Sequence, residues 1–149
     1  HYKVDAAARR AMAVNPAVTV VPVRSTFFAG VDPQLGEARV VIDCLDSVAD
    51  RISLADYCRS AAIPLVHGAV RDWCGHIGIQ RDEALLDRIY PRRPVKENES
   101  PPSVFSCTVA TIASMQVAET IKLLLGMDSE LTDSWRLIDL KTCEMEQFG

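Results

Sequence analysis

The sequence predicts an α/β fold: a doubly wound mixed sheet, truncated at its N-terminal end and antiparallel at its C-terminal end. Three observations carry that reading. The run 38–43 is short, apolar and closed by an acid, the pattern of a parallel strand buried on both faces, and 63–70 reads as a second one. Residues 108–125 then carry apolar side chains at helical spacing. The chain also opens on a helix, whereas a doubly wound fold opens on a strand. The missing opening amounts to about two βα units, at roughly 30 residues per βαβ motif.

Composition narrows the function. The 149 residues fit one domain, and 48% hydrophobic with 24% charged residues supplies a real core. A net charge of −4 and a pI of 5.3 give no broad basic field to attract nucleic acid or an anionic membrane. No apolar run reaches the roughly 20 residues that span a bilayer. The opening residues, from His1 to Asp5, have the pattern of neither a signal nor a transit peptide. The five cysteines, Cys44, Cys58, Cys74, Cys107 and Cys143, are odd in number and form no C-x-x-C pair, so no zinc is expected. A chain of this size needs no disulfide framework, which points to the reducing cytoplasm. Most of these thiols, Cys44, Cys58 and Cys143 among them, read as small buried hydrophobes.

The elements follow in order. Lys3 to Val14 is Ala-rich and helical, with Val4, Ala7, Ala8, Ala11 and Met12 in register, and Asn15-Pro16 ends it. Val18 to Val23 is almost all β-branched and reads as a strand. Phe27 to Glu37 reads as loop with a short helical turn. After the strand ending at Asp43, Ser47 is placed to cap a helix, with Asp50 three residues on. That helix turns Val48, Ile52 and Ala55 inward and ends near Arg59. Ile63 to Val70 and Gly75 to Gln80 read as strands joined by a turn. Glu83 to Ile89 reads as one or two helical turns, and the Pro- and charge-rich stretch to Pro102 as a mobile surface loop. The helix 108–125 places Val109, Ile112, Ala113, Val117, Ile121 and Leu124 on one stripe, and Gly126 caps its end. Trp135 to Leu140 and Cys143 to Phe148 close the chain as a hairpin.

The chemistry gathers where the first buried strand meets its helix, at Asp43-Cys44-Leu45-Asp46-Ser47. Ligands of open α/β sheets bind at the carboxyl ends of strands, and an acid there can hold Mg²⁺ against a nucleotide's phosphates. Asp46 equally suits the positive end of the helix dipole. From these residues a resemblance emerges. Residues 40–51, Val-Val-Ile-Asp-Cys-Leu-Asp-Ser-Val-Ala-Asp-Arg, resemble the D-x-x-D-N-x-x-x-R signature of the ThiF/MoeB/HesA adenylyltransferases, which are Rossmann-like and related to ubiquitin-activating enzymes. Ala62 to Val70 is similar to that family's next strand, Gly75-His76-Ile77 to its G-x-I strand, and Ile112 to Gly126 to its I-x-S-x-Q-A-x-E-x-I-K-x-L-x-G helix. Lys3, the Ala-rich helix and Asn15-Pro16 resemble its K-x-x-x-A…N-P segment. The resemblance runs nearly end to end and is weakest over 81–105. It implies that residues 1–149 are the C-terminal part of a single adenylyltransferase domain.

The resemblance implies ATP-dependent adenylation of the C-terminal carboxylate of a ubiquitin-like sulfur-carrier protein ending in Gly-Gly. ATP and Mg²⁺ are the expected cofactors and a homodimer the expected assembly. By the same resemblance Lys3 contacts the nucleotide phosphates, although an N-terminal lysine by itself reads as a solvated charge. Asp46 positions Mg²⁺-ATP and is the expected metal ligand. Ser47 stands where the family has asparagine, and Arg51 fills the signature arginine position, where bracing the loop through a carboxylate is an equal reading. Cys107, at the start of the long helix, is a candidate for covalent attachment or sulfur transfer, since a helix N-terminus favours the thiolate. Packing at the helix start is its other reading. The sequence departs from the family in lacking the paired C-x-x-C zinc motifs and the G-x-G-x-x-G nucleotide loop. The family's arginine finger, often supplied across a dimer interface, would lie before His1. An interaction subunit without catalysis is the second reading, and part of a nicotinamide-dependent dehydrogenase a third, which neither 43–51 nor the Gln116–Glu119–Lys122 helix suggests.

Overall fold

A computed structural model describes residues 2–25, 35–90 and 103–149. Helix α1 (Lys3–Val14) ends at Asn15, whose side chain accepts a hydrogen bond from the Ala17 N–H. Residues 18–23 do not form the expected strand. Val18, Val21 and Val23 stay exposed, because β-branched residues favour a strand only where a neighbouring strand and a face to pack on are available. Instead the segment folds back on α1, where Arg24 pairs with Asp5 at 2.8 Å and lies over the Tyr2 ring. Leu35–Glu37 forms a single 3₁₀ turn. The rest of the expected loop, and the stretch 91–102, lie outside the described residues.

The remaining elements are β1 (Val41–Asp43), α2 (Val48–Ser60), β2 (Leu65–Arg71), β3 (Cys74–Gln80), α3 (Leu85–Ile89), α4 (Ser106–Leu124), β4 (Trp135–Asp139) and β5 (Glu144–Phe148). The five strands form one sheet in sequence order. β1 and β2 are parallel, and every later neighbour is antiparallel. The predicted α/β class and its antiparallel C-terminal end are both present. β1, read as a central strand, lies at the edge of the described sheet, so Ile42 is 39% exposed between the buried Val41 and Asp43.

Alternation along β2 and β3 divides the core between two faces. Leu65 joins Val41, Leu54, Ala55, Cys58, Leu85 and Leu86 under α2 and α3. Val66, Ile77 and Ile79 pack with Ile112, Leu131 and Ile138 under α4. Helices thus cover both faces, the doubly wound arrangement the sequence predicts. Ser47 caps α2 as expected, accepting the Asp50 N–H at 3.3 Å. Gly126, at φ +70°, ends α4. Its N–H donates to the Leu123 carbonyl and the Met127 N–H to the Lys122 carbonyl, the paired closure that a left-handed residue permits.

Both long helices are rotated from their apolar patterns. α2 buries Arg51, Leu54, Ala55 and Cys58, while Ile52 and Val48 are half-buried. α4 buries Thr108, Ile112, Gln116 and Glu119, and leaves Val109, Val117, Ile121 and Leu124 exposed. The inward polar groups are all satisfied. The Thr108 hydroxyl donates to the Asp72 carbonyl, Gln116 reaches the sheet, and Glu119 pairs with Lys122 and accepts from Ser129. A buried polar residue that finds a partner is invisible to hydrophobic periodicity.

Gly68 lets α4 approach this closely. A Cβ there would lie 2.6 Å from the Gln116 Cδ. Gly68→Ala should therefore displace the Gln116 amide and lower stability by about 1–3 kcal/mol. An unchanged urea midpoint would contradict this packing.

Candidate functional site

The polar residues of the core converge at the carboxyl ends of β1 and β2, with Asp43 as the hub. Its Oδ1 accepts the Leu45 N–H at 2.9 Å, which turns the chain out of the strand. Its Oδ2 accepts from Arg51 at 3.0 Å and from His67 Nδ1 at 2.6 Å. Arg51 also donates to the Gly68 carbonyl at 2.7 Å, joining α2 to β2. On the opposite face, Gln116 Nε2 donates to the carbonyls of Asp43 at 2.9 Å and Val66 at 3.3 Å, strapping the two parallel strands. The loop 43–47 is thus held by three elements besides its own strand.

A second layer extends from His67 across the sheet. His67 Nε2 lies 2.9 Å from His76 Nε2, and the Tyr90 hydroxyl is 3.1 Å from His76 and 3.3 Å from His67. Trp135 meets the His76 ring edge-on. Burial alone would raise the Asp43 carboxyl. The His67 hydrogen bond, the charges of His67 and Arg51, and the Leu45 N–H outweigh it and keep Asp43 an anion. Burial holds His67 toward the neutral form against the pull of Asp43. His76 is pushed down to about 3, by burial first and then by the charges of His67 and Arg51. Burial lifts Tyr90 to about 12, so its hydroxyl keeps its proton.

His76 thereby gives a signed pH prediction. Its folded value of about 3 lies below its ordinary 6.5, so in that window the unfolded chain binds the extra proton. Stability present above pH 6.5 is lost as the pH falls toward 3. His76→Gln should therefore flatten the fall in melting temperature between pH 6.5 and 4. Parallel acid limbs in the two proteins would contradict it.

Two cavities flank this hub. One, of about 370 Å³, is lined by Arg51, Arg71, Cys74, His76, Tyr90 and Asp46 among others. The other, of about 310 Å³, lies toward α4, lined by Asp43 to Asp46, Gly68, Val109 and Gln116 among others. They share Asp46, Arg51, Ala69 and Val70 as walls.

The structure brings together Asp46, Ser47 and Arg51. Asp46 is exposed on the rim of both cavities, and among the described residues its carboxylate has no hydrogen bond or ion pair. Ser47 is the cap of α2. Arg51 is buried and bonded as a brace, yet lines both cavities. Lys3 stands exposed on the first turn of α1, and no hydrogen bond or ion pair joins it to Asp46. Cys107 is exposed on the first turn of α4 and lines neither cavity. Of the three thiols read as buried, only Cys58 is. Cys44 is exposed beside the second cavity and Cys143 in the last hairpin, where φ is +60°. Sequence reading passed over His67, His76, Tyr90 and Gln116 as members of one network. A histidine inside an otherwise apolar strand was the available signal, since a buried imidazole needs a partner.

A parallel pair ending in an acidic loop, between helices on both faces, defines an α/β protein with its polar site at the carboxyl ends of its strands. The chain belongs to the ThiF family, whose sequence profile matches residues 1–148. It is 28% identical over 152 residues to the molybdopterin-synthase adenylyltransferase of Escherichia coli K12, covering 97% of this chain and 60% of that protein. It is 31% identical over 111 residues to the adenylyltransferase and sulfurtransferase MOCS3 of Drosophila virilis, covering 70% of this chain and 25% of that one. It is 30% identical over 133 residues to the SAMP-activating enzyme E1 of Haloferax volcanii, covering 83% and 47%. Two solved structures share its fold. Escherichia coli MccB with ATP superposes at a TM-score of 0.78 and 13% identity, over 99% of this chain and 47% of that one. PaaA superposes at 0.70 and 16% identity, over 98% and 54%. The chain therefore spans only part of the length of each of these relatives.

Proposed function

We propose that the whole protein uses ATP to adenylate the C-terminal carboxylate of a ubiquitin-like sulfur-carrier protein ending in Gly-Gly. Asp46 carries this reading: an exposed carboxylate, unpaired among the described residues, on the rim of two cavities and on a loop braced by Asp43, Arg51 and Gln116. The names of the curated relatives, adenylyltransferases and a SAMP-activating enzyme among them, support the same chemistry. In the reaction the carrier carboxylate attacks the α-phosphate and displaces pyrophosphate. The nucleophile is already ionised, so the protein's work is alignment and charge compensation.

Among the described residues no group of three or more His, Cys, Asp and Glu side chains is arranged to hold a metal. One carboxylate together with substrate phosphates is nevertheless how Mg²⁺ is commonly held, and Asp46 fits that role. Mg²⁺ would supply screening of phosphate charge. Ser47 keeps the helix start that orients Asp46, and Arg51 adds positive charge to the shared wall. In this reading Lys3 serves the phosphates, and Cys107 is a candidate acceptor of the activated carrier.

The exposed α4 stripe of Val109, Val117, Ile121 and Leu124 supports an assembly, which we take to be a homodimer. No described helix is long and apolar enough to cross a membrane. A cytoplasmic location, with no nucleic-acid partner, is part of the same reading. Lys3 lines neither cavity, which favours a second reading, a non-catalytic interaction subunit. Intact-mass measurement of a Gly-Gly carrier incubated with ATP and the full-length protein tests the two. An AMP adduct on the carrier supports adenylation, and carrier that binds but stays unmodified supports the interaction subunit.

A further inference from the structure

We infer that the Tyr90 hydroxyl holds the carrier's tail, donating its hydrogen in the 370 Å³ cavity to the peptide carbonyl between the two terminal glycines. The inference rests on the adenylation reading and adds to it the group that recognises the Gly-Gly end. Two glycines present no side chains, so they can be held only through peptide carbonyls, peptide N–H groups and the terminal carboxylate. A neutral hydroxyl in a largely apolar wall suits a carbonyl oxygen. Val48, Ala69, Val70, Gly75 and Leu137 belong to that wall, and Tyr90 stands among them.

The hydrogen bonds behind Tyr90 leave its own proton free for that task. Asp43 is an anion and accepts at 2.6 Å, so the neutral His67 carries its single proton on Nδ1. His67 Nε2 is therefore a bare acceptor with one lone pair. His76 Nε2 stands 2.9 Å from it and the Tyr90 hydroxyl 3.3 Å. Two imidazole nitrogens come this close with a proton between them, so His76 Nε2 carries that proton and takes the lone pair. The same N–H lies 3.1 Å from the Tyr90 oxygen, which accepts a share of it. Neither Nε2 then has a lone pair left for the Tyr90 hydrogen.

The donor is also fixed in place. Tyr90 closes the C-terminal end of α3, where its N–H donates to the Leu86 carbonyl at 2.8 Å, and its ring meets His67 edge-on at 5.7 Å between centroids. Burial lifts the phenol to about 12, so the hydrogen stays on the oxygen at neutral pH. A donor oriented before the substrate arrives costs little ordering on binding. Asp46 lies on the rim of the same cavity, so a tail held at Tyr90 can end beside the residue assigned to Mg²⁺-ATP.

The test is ATP–pyrophosphate exchange by the full-length protein at pH 7 with two semisynthetic carriers. One ends in Gly-Gly, and in the other a trans-alkene replaces the peptide bond between the two glycines, which removes the carbonyl and keeps the carboxylate. Tyr90→Phe should raise the KM for the Gly-Gly carrier by about 3- to 10-fold, the scale of one neutral hydrogen bond. Because substrate and transition state share that bond, kcat and the KM for ATP should stay within about twofold of wild type. With the alkene carrier the substitution should change nothing, since the two groups act as one pair. Should the Phe variant fold poorly, 3-fluorotyrosine in place of Tyr90 keeps the ring and makes the hydroxyl a stronger donor. It should lower the KM for the Gly-Gly carrier and leave that for the alkene carrier unchanged. Equal changes with both carriers, a loss confined to kcat or to the KM for ATP, or no change would overturn the inference while leaving adenylation standing. Absence of exchange in the wild type would overturn the adenylation reading and the inference with it.

Discussion

Asp43→Ala should destabilise the fold by about 3–5 kcal/mol, the usual result of removing one partner from a buried ion pair. The Asp43 side chain is fully buried and that of Arg51 is only 10% exposed, so the guanidinium cannot recover its hydration without moving α2. The substitution also strips an acceptor from the buried His67 Nδ1 and from the part-buried Leu45 N–H. Asp43→Asn should do less harm, since its amide oxygen can still accept the Leu45 N–H. Guanidinium denaturation of the three proteins gives the ranking. A loss under about 1 kcal/mol for Asp43→Ala would mean that Arg51 finds water in the folded state, and that the hub described here does not hold the loop.

Asp46→Ala should behave in the opposite way. Asp46 is exposed and, among the described residues, makes no hydrogen bond or ion pair, so the change in stability should stay within about 0.5 kcal/mol. Adenylation by the full-length protein should fall by about 10²–10³-fold, the scale seen when a group stabilising transition-state charge is deleted. Two carboxylates three residues apart thus divide their roles: Asp43 builds the site and Asp46 serves the substrate. A destabilisation of Asp46→Ala comparable to that of Asp43→Ala would erase this division.

The sequence exposed these two acids unevenly. The strand–loop–helix around them was legible because an apolar run closed by an acid, followed by a serine cap, is a local pattern, and the structure reproduces it at β1 and α2. Gly126 and the final hairpin were legible for the same local reason. What escaped was set by tertiary pairing. Residues 18–23 have the composition of a strand and lack a partner among the described residues. The apolar stripe of α4 pointed to Ile112, Val117 and Ile121 as core; Ile112 is buried as expected, but the other buried positions are Thr108, Gln116 and Glu119, each polar and satisfied by a hydrogen bond outside its own turn. Arg51 was placed in the signature by resemblance, but its burial depends on Asp43 and the Gly68 carbonyl, one at the end of β1 and one on β2. The His67–His76–Tyr90 ring joins residues 9 and 14 positions apart along the chain, from two strands and a helix end, and no single-element pattern reports that.

The most direct test of the adenylation account is ATP–pyrophosphate exchange by the full-length protein with a Gly-Gly-ended carrier, in wild type and in Asp46→Ala. Carrier-dependent exchange that collapses in the variant while its melting temperature holds is the predicted result. Absence of exchange in the wild type with every carrier tried, or equal exchange in both proteins, would contradict the account at the residue on which it rests.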